Sequence, residues 1–374
     1  DDDGNLTEEA IDRVIETLKR FKEYCISYGV SKILAAATSA VRESPNGRDL
    51  IKRVRENIGI TIELISGAEE ARLIYLGVLS GMSLGNESHI ICDIGGGSTE
   101  LILANSKDTR ALTSSRIGAV RLKNDFFQDE PLTNSRLDFI KTFIQGSLEP
   151  SIGKIKRRLD KNESISMIAT SGTAIALGNL ISSDLGEPKQ KMHGYKFEKS
   201  NLEDLLSKLI KLTPFDLRKI PSLSERRSEI IIPGGLILNT SMEMLNISTL
   251  TISERALREG LVIDWMIRKG MLTSRFSLQS NIRKTTVMHQ ADKFSVDKVR
   301  AERVASLALQ IHDQTRNVLH NDMKNKGRNL LWAACFLCNA GKQINLSAYH
   351  KHSWYLIRNC ELLGYSLSEK NIIA

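Results

Sequence analysis

Two carboxylates flank a run of three glycines in the segment Asp93-Ile94-Gly95-Gly96-Gly97-Ser98-Thr99-Glu100. Glycine lets backbone N–H groups approach a phosphate group closely, and the Ser98 hydroxyl can add a further donor. Carboxylate oxygens beside a phosphate are ligands that Mg²⁺ prefers, which makes Asp93 and Glu100 candidates to hold it. The segment therefore predicts a phosphate-binding turn with a Mg²⁺ site. The alternative interpretation is a glycine-rich hairpin turn that binds nothing.

Two other segments place hydroxyl or cationic groups where a strand meets a helix. Ser171, Gly172 and Thr173 follow a short apolar strand and open a helix, whose N-terminal amides favour an anion. Ordinary helix capping explains the same residues without a ligand. In the segment Ala37–Arg42, Arg42 lies one turn into a helix and could clamp a phosphate, although a surface arginine is an equally good interpretation.

Glu69 and Glu70 begin a helix that follows Ser66-Gly67-Ala68. Negative charge near a helix N-terminus is stabilised by the helix dipole, so charge at the helix start alone explains the pair. As a functional group, one of the two would act as a general base. Because adjacent helical residues point about 100° apart, we expect at most one of them to face the site.

The elements that must position these residues follow a β-α alternation, which favours an α/β sheet. His89–Asp93 and Thr99–Ala104 are predicted to form a hairpin around the glycines, and Ser166–Ala169 is predicted to be a further strand. Pro233-Gly234-Gly235 is predicted to break residues 223–244 into two helices. From about Gly270 onwards the pattern is helical, and 374 residues predict two or three domains.

Composition limits the class of protein and the kind of partner. Residues 270–374 contain 15 Lys and Arg against 7 Asp and Glu, which equals the whole surplus of +8. This surplus fits either a solvated helical surface or an electrostatic surface for a polyanion, and charge alone does not distinguish the two. The sequence has no apolar stretch of 18 residues, so no membrane span is expected. The five dispersed cysteines show no disulfide framework, which predicts a cytoplasmic protein.

Taken together, these stretches resemble the exopolyphosphatase / guanosine pentaphosphate phosphohydrolase (Ppx/GppA) family. The resemblance is carried by ATSAVRE (37–43), ISGAEEARLIYLGV (65–78), DIGGGSTEL (93–101), SSRIGAVRL (114–122), ATSGTA (169–174) and SERALREGL (253–261). It implies an actin-like, ribonuclease-H-like α/β fold in two domains, residues 1–84 and 85–269. It also implies an all-α HD-like domain over residues 270–374.

The resemblance also assigns roles to the candidate residues. Glu70, the second of the pair, would be the catalytic base that activates water. Asp93 and Glu100 would hold Mg²⁺, and Arg42 would grip the substrate chain. The phosphate cradle would consist of Gly95, Gly96, Gly97, Ser98, Ser171, Gly172 and Thr173.

Two features depart from the family pattern. The family opens with an Asp-x-Gly-x-Asn-Ser phosphate loop that this sequence lacks, so we expect an N-terminal truncation of the first domain. In the helical domain, Cys338-Asn339 stands where an HD enzyme has His-Asp, so we expect a degenerate and truncated domain that binds no metal.

The sequence therefore predicts an exopolyphosphatase that removes orthophosphate from inorganic polyphosphate. Hydrolysis of guanosine pentaphosphate is the close alternative, and a phosphoryl-binding protein without turnover is another. A sugar kinase or an ATP-driven chaperone would share the glycine turn. We expect no specific nucleic acid partner, no integral membrane span and a homodimer.

Overall fold

A computed structural model describes residues 3–127, 132–160, 163–188, 190–272, 282–320, 326–365 and 367–374. The chain divides into one unit formed by Asp1–Ile62 with Ser66–Leu272 and a second formed by Glu63–Ile65 with Thr273–Ala374. The boundary between two domains at residues 84 and 85 stays a prediction. None of the helices in the described ranges combines the length and the apolar composition that crossing a bilayer requires.

A six-stranded sheet forms the centre of the first unit, and two short strands lie outside it. The strands in the described ranges are β1 Ala35–Ala37, β2 Ile62–Leu64, β3 Ser88–Ile94, β4 Thr99–Ala104, β5 Thr109–Ser115, β6 Ile165–Thr170, β7 Lys196–Glu198 and β8 Thr249–Ile252. The strand order of the large sheet is β5-β4-β3-β6-β8-β7, and β1 and β2 are the two outside it. The pairs β3–β6 and β6–β8 are parallel, whereas β3–β4, β4–β5 and β7–β8 are antiparallel.

The first unit contains twelve helices in the described ranges, and several of them pack against this sheet. They are α1 Glu8–Ser27, α2 Ser39–Glu43, α3 Gly47–Ile58, α4 Gly67–Gly81, α5 Ala119–Phe126, α6 Asn134–Lys156, α7 Ser171–Asp184, α8 Lys199–Leu209, α9 Pro214–Arg218, α10 Glu225–Ser228, α11 Ile231–Met244 and α12 Leu257–Arg268. The core joins the strands β3, β4 and β6 to α6, α7, α8 and α11. Strands β3 and β4 are buried on both faces, which explains why they consist of near-continuous apolar runs.

The predicted hairpin is present, because β3 pairs with β4 around the glycines. The predicted break at Pro233 is wrong, since α11 runs without interruption from Ile231 to Met244. Pro233 lies in the first turn of this helix, where a missing backbone N–H removes no intrahelical hydrogen bond. Helix α11 is buried on almost all sides, and this packing outweighs the low helix propensity of Gly234 and Gly235.

Helices α4 and α12 pack so closely that glycine is required at their contact. A Cβ on Gly77 would lie 1.9 Å from the Ala256 carbonyl oxygen, and a Cβ on Gly260 would lie 1.8 Å from that of Leu73. Real Cβ atoms do not approach backbone this closely, so both positions exclude a side chain. The two glycines therefore fix the position of α4, the helix that carries Glu70.

In the second unit, the described residues from 282 onwards form helices around a core of their own. The helices are α13 Ile282–Lys293, α14 Lys298–Gln314, α15 Lys326–Leu337, α16 Tyr349–Asn359 and α17 Leu367–Ile373, and a 3₁₀ turn covers Ala340–Gln343. Gly341 packs against the backbone of α16, where Ser353 Oγ accepts from the Gly341 amide at 2.8 Å.

Candidate active site

Backbone hydrogen bonds hold the glycine turn between β3 and β4 in place, and several amides of the turn are left free to donate. The Gly95 amide donates to the Ser98 carbonyl at 2.9 Å, and the Gly96 carbonyl accepts from the amides of Val120 and Arg121 at 3.0 Å. Gly118 allows this approach, since a Cβ there would lie 2.4 Å from the Gly96 oxygen. Within the described ranges, the amides of Gly96, Gly97 and Ser98 have no acceptor. They are available to an anion.

Asp93 and Glu100 lie opposite each other in the register of β3 and β4. Both are almost fully buried, and Ser114 Oγ donates to Glu100 Oε1 at 2.7 Å. Burial, with the nearby Glu70 carboxylate, raises the pKa of Asp93 to about 7. Burial and the charges of Glu70 and Asp93 raise the pKa of Glu100 well above its usual range. The structure therefore brings three carboxylates into one region poor in solvent, where a cation would stabilise their charged forms.

Glu70 lies in the first turn of α4, which Ser66 caps through the Glu69 amide at 3.2 Å. Arg42 Nη1, from α2, donates to Glu70 Oε2 at 3.1 Å. Burial raises the pKa of Glu70, and the neighbouring Arg42 opposes the rise. Burial thus disfavours the charged form of the Glu70 carboxylate, while the Arg42 guanidinium holds the group in place. This combination suits a group that accepts a proton.

Glu69 lies in a different environment, although it is adjacent to Glu70 in sequence. Arg72, which is 1% exposed, donates to both Glu69 carboxylate oxygens at 2.7 and 2.9 Å. The same guanidinium donates to Asp264 of α12 at 2.6 Å. Glu69 is therefore part of an ion network between α4 and α12, and Glu70 is the member of the pair beside Asp93 and Arg42.

The segment Ser171–Thr173 opens α7 beside the carboxyl end of β3, because Thr170 is the register partner of Asp93. Ser171 has φ 84°, a left-handed conformation that is unfavourable for serine and is concentrated at functional sites. Its Oγ is buried and bonds to no group in the residues described. No side chain caps α7, since Thr170 Oγ1 donates instead to the Arg255 carbonyl at 2.9 Å. An anion would satisfy the exposed helix start.

Arg227 is a candidate site residue that the sequence analysis missed. Its guanidinium lies directly over Gly172, because a Cβ on that glycine would fall 1.7 Å from Arg227 Nη2. A cation above the N-terminus of α7 adds to the anion-binding potential of this cradle. The available signal was weak, because Arg227 lies in the polar segment Ser224–Ser228, more than 50 residues beyond Gly172.

The donor set suits a divalent cation that is only partly held by protein. No group of three His, Cys, Asp or Glu side chains in the described part of the chain is arranged to hold a metal ion. The buried carboxylates of Asp93 and Glu100 lie beside the free amides of the glycine turn. In proteins, Mg²⁺ is commonly bound by one or two carboxylates, and water and substrate phosphate complete its coordination shell. The residues present therefore fit Mg²⁺ bound together with a phosphate ligand.

Two family models match this chain over almost its whole length. The model of the Ppx/GppA phosphatase family matches residues 1–269, and the model of Ppx/GppA phosphatase domain III matches residues 282–374. The chain belongs to the Ppx/GppA phosphatase family. This confirms the family and the fold class predicted from the sequence, an actin-like α/β fold followed by a helical unit.

Solved structures support the same assignment. This Ppx/GppA phosphatase is 26% identical to an exopolyphosphatase from Cytophaga hutchinsonii, with a TM-score of 0.66 over 72% of this chain and 85% of that one. It is 25% identical to the Aquifex aeolicus Ppx/GppA family member, with a TM-score of 0.60 over 71% of this chain and 84% of that one. A type II variant of the Aquifex aeolicus phosphatase is 26% identical, with a TM-score of 0.56, and the match covers 70% and 85% of the chains.

Proposed function

We propose that this Ppx/GppA phosphatase is an exopolyphosphatase, which hydrolyses the terminal phosphoanhydride bond of inorganic polyphosphate and releases orthophosphate. The observation that carries the proposal is the position of Glu70. It is a buried carboxylate with a raised pKa, next to Arg42 and close enough to Asp93 to raise its pKa as well. Similarity to the exopolyphosphatase of Cytophaga hutchinsonii supports polyphosphate as the substrate.

In the proposed reaction, Glu70 accepts a proton from a water molecule as the water oxygen attacks the terminal phosphorus. The anhydride P–O bond on the opposite side breaks, and its electron pair goes to the shortened chain. The products are orthophosphate and a polyphosphate with one phosphate fewer. The raised pKa of Glu70 makes it a stronger base at neutral pH than an exposed glutamate.

The phosphate groups would be held by the free amides of the glycine turn and by the N-terminus of α7. Gly96, Gly97 and Ser98 would supply the free amides of the first cradle, and Gly95, whose amide donates to the Ser98 carbonyl, would close its turn. Ser171, Gly172 and Thr173 would form the second cradle. The unsatisfied Ser171 Oγ and the Arg227 guanidinium support this second cradle. Asp93 and Glu100 would hold Mg²⁺, which when bound neutralises charge on the phosphoryl group.

The proposal is tested by orthophosphate release from polyphosphate and, in parallel, from guanosine pentaphosphate. We expect faster release from polyphosphate, and we expect Glu70→Gln to lower turnover about 10²–10⁴-fold, as removal of a general base does. Binding of polyphosphate by Glu70→Gln should remain close to that of the parent. A variant with parental turnover would rule out Glu70 as the base, and faster release from guanosine pentaphosphate would replace the proposed substrate.

A further inference from the structure

Glu43, the last residue of α2, is surrounded by donors. Its side chain is 17% exposed and accepts from Ser39 Oγ at 2.6 Å and from Arg121 Nη2 at 2.7 Å. Arg116 Nε lies 3.8 Å from the same carboxylate. A hydroxyl and two guanidinium groups thus converge on one anionic group.

This cluster lies directly against the glycine turn. Arg121 Nε donates to the Gly97 carbonyl at 3.3 Å, so one guanidinium contacts both the turn and Glu43. A Cβ on Gly97 would lie 2.7 Å from Ser39 Oγ, which places the Ser39 hydroxyl in contact with the same glycine. The donors around Glu43 therefore continue the row of free amides at Gly96, Gly97 and Ser98.

Hydroxyl and guanidinium donors are the groups that proteins use to bind phosphate oxygens. In this structure the Glu43 carboxylate accepts from these donors. They lie beside the glycine turn, within reach of a linear phosphoanhydride whose terminal phosphate is bound at that turn. A second phosphate bound there would have to displace the carboxylate or share Arg121 with it. Either event opposes binding, because the like charges of phosphate and carboxylate repel.

We propose that Ser39, Arg121 and Arg116 form a subsite for a non-terminal phosphate of the substrate, and that Glu43 occupies this subsite and sets its affinity. Glu43 is thus a specificity-determining residue that weakens the binding of short phosphoanhydride chains. The inference rests on the proposed function, because it assumes that the terminal phosphate binds at the glycine turn.

The test compares KM for inorganic tripolyphosphate among the full-length parent, Glu43→Gln and Arg121→Gln. Glutamine keeps the shape of Glu43 and removes its charge, so we expect KM to fall about two- to fivefold, the range that a partly exposed ion pair supports. Arg121→Gln should raise KM, and Arg121→Lys should recover part of the loss. Melting curves check that each variant is folded.

Glu8→Gln is the matched control, because it removes the same charge from a different pair, Glu8 with Arg53 at 2.6 Å. Its KM should equal that of the parent, which excludes an effect of net charge. An unchanged or higher KM in folded Glu43→Gln would overturn the inference and leave Glu43 a structural brace. An unchanged KM in folded Arg121→Gln would overturn it as well.

Calorimetric titration with tripolyphosphate separates this inference from the proposed function. If the parent releases no orthophosphate, the exopolyphosphatase proposal fails, but tighter tripolyphosphate binding by Glu43→Gln still supports the subsite. If the parent is active and Glu43→Gln binds tripolyphosphate no more tightly than Glu8→Gln, the subsite fails and the proposed function stands.

Discussion

Glu69 and Glu70 have the same side chain and the same helix turn, but their partners give them opposite chemistry. Glu69 is neutralised by a buried guanidinium that donates to both of its oxygens. Glu70 accepts from Arg42 and lies near other carboxylates, and burial raises its pKa. The sequence could predict that only one of the pair faces the site, because helical geometry separates them by about 100°. Which one faces it depends on Arg72 and Asp264, which lie 192 residues apart.

The proposed Mg²⁺ site depends on two residues, Asp93 and Glu100. Asp93→Asn and Glu100→Gln should each raise the Mg²⁺ concentration needed for half-maximal orthophosphate release. The reason is that each substitution removes one of the two carboxylates that we propose as Mg²⁺ ligands beside the glycine turn. The measurement is a Mg²⁺ titration of activity at saturating polyphosphate.

Ser114→Ala is the control for this titration, because Ser114 donates to Glu100 at 2.7 Å without being a carboxylate. It should change the Mg²⁺ requirement less than Glu100→Gln does. Titrations of both carboxylate variants that match the parent would remove Asp93 and Glu100 as metal ligands.

At the scale of elements, short-range patterns were sufficient for the hairpin around the glycines and for the helix that follows Thr170. Both depend on local alternation and on residues adjacent in the chain. The unbroken α11 was not predictable, because burial on almost all sides outweighs the low helix propensity of Gly234 and Gly235, and Pro233 lies in the first turn, where it removes no hydrogen bond. Arg227 and the Glu43–Arg121 pair were also missed, since their partners are 55 and 78 residues away along the chain.

The contact between α4 and α12 gives a prediction about packing. Gly77→Ala should destabilise the protein by about 1–3 kcal/mol, because the new methyl group would meet the Ala256 carbonyl at 1.9 Å. Gly146→Ala is the matched control, since Gly146 lies inside α6 and a Cβ there has nothing within 4 Å. It should stabilise by about 0.5–1 kcal/mol, the helix preference for alanine. Urea unfolding measures both, and a Gly77→Ala variant as stable as the parent would contradict the close contact.

The ion network of the same helix pair predicts a pH dependence of stability. Burial acts to raise the pKa of Asp264, but the guanidinium groups of Arg72 and Arg268 outweigh it and hold the pKa below 3.8. A carboxyl group with a lowered pKa in the folded state stabilises the protein above its unfolded pKa, and this contribution is lost as the pH falls through the folded pKa. Asp264→Asn should therefore destabilise strongly at pH 7, by about 3–5 kcal/mol, because Arg72 stays buried.

The stability difference between parent and Asp264→Asn should be constant from about pH 7 to pH 5 and should shrink below pH 3.8. Asp184→Asn serves as the control, because Asp184 forms an exposed pair with Lys208 at 2.6 Å. Its effect should stay within about 1 kcal/mol at every pH. A difference for Asp264→Asn that grows as the pH falls would reverse the sign and reject the argument.

At the scale of the whole molecule, chemistry and charge lie in different parts of the sequence. Every candidate catalytic, metal-binding and phosphate-binding residue precedes residue 269, whereas residues 270–374 carry the surplus of +8. Residues 323–360 contain no Asp or Glu at all. A cytoplasmic location and a homodimer stay predictions. A long polyanion would have two kinds of interaction with such a protein. Its terminal phosphate would bind at the candidate site, and its other phosphates would be attracted by Lys and Arg side chains.

Neutralising exposed cations of the helical unit should therefore weaken the binding of long polyphosphate more than that of tripolyphosphate. The variant replaces four exposed residues by glutamine, namely Arg300, Arg303, Lys351 and Arg358. Each ion contact that is lost removes counterion release, so the slope of log binding constant against log salt should flatten by about one per contact.

The control replaces four exposed lysines of the first unit, namely Lys52, Lys156, Lys191 and Lys211, with the same change in net charge. The measurement is the binding constant of each folded variant for long polyphosphate and for tripolyphosphate, determined by titration at several salt concentrations from low to moderate. If the two variants lose long-chain affinity equally, the attraction comes from net charge and the helical unit is only a solvated surface. If the helical-unit variant alone shows the flatter slope while tripolyphosphate binding stays parental, the basic helices hold the chain that leads away from the site.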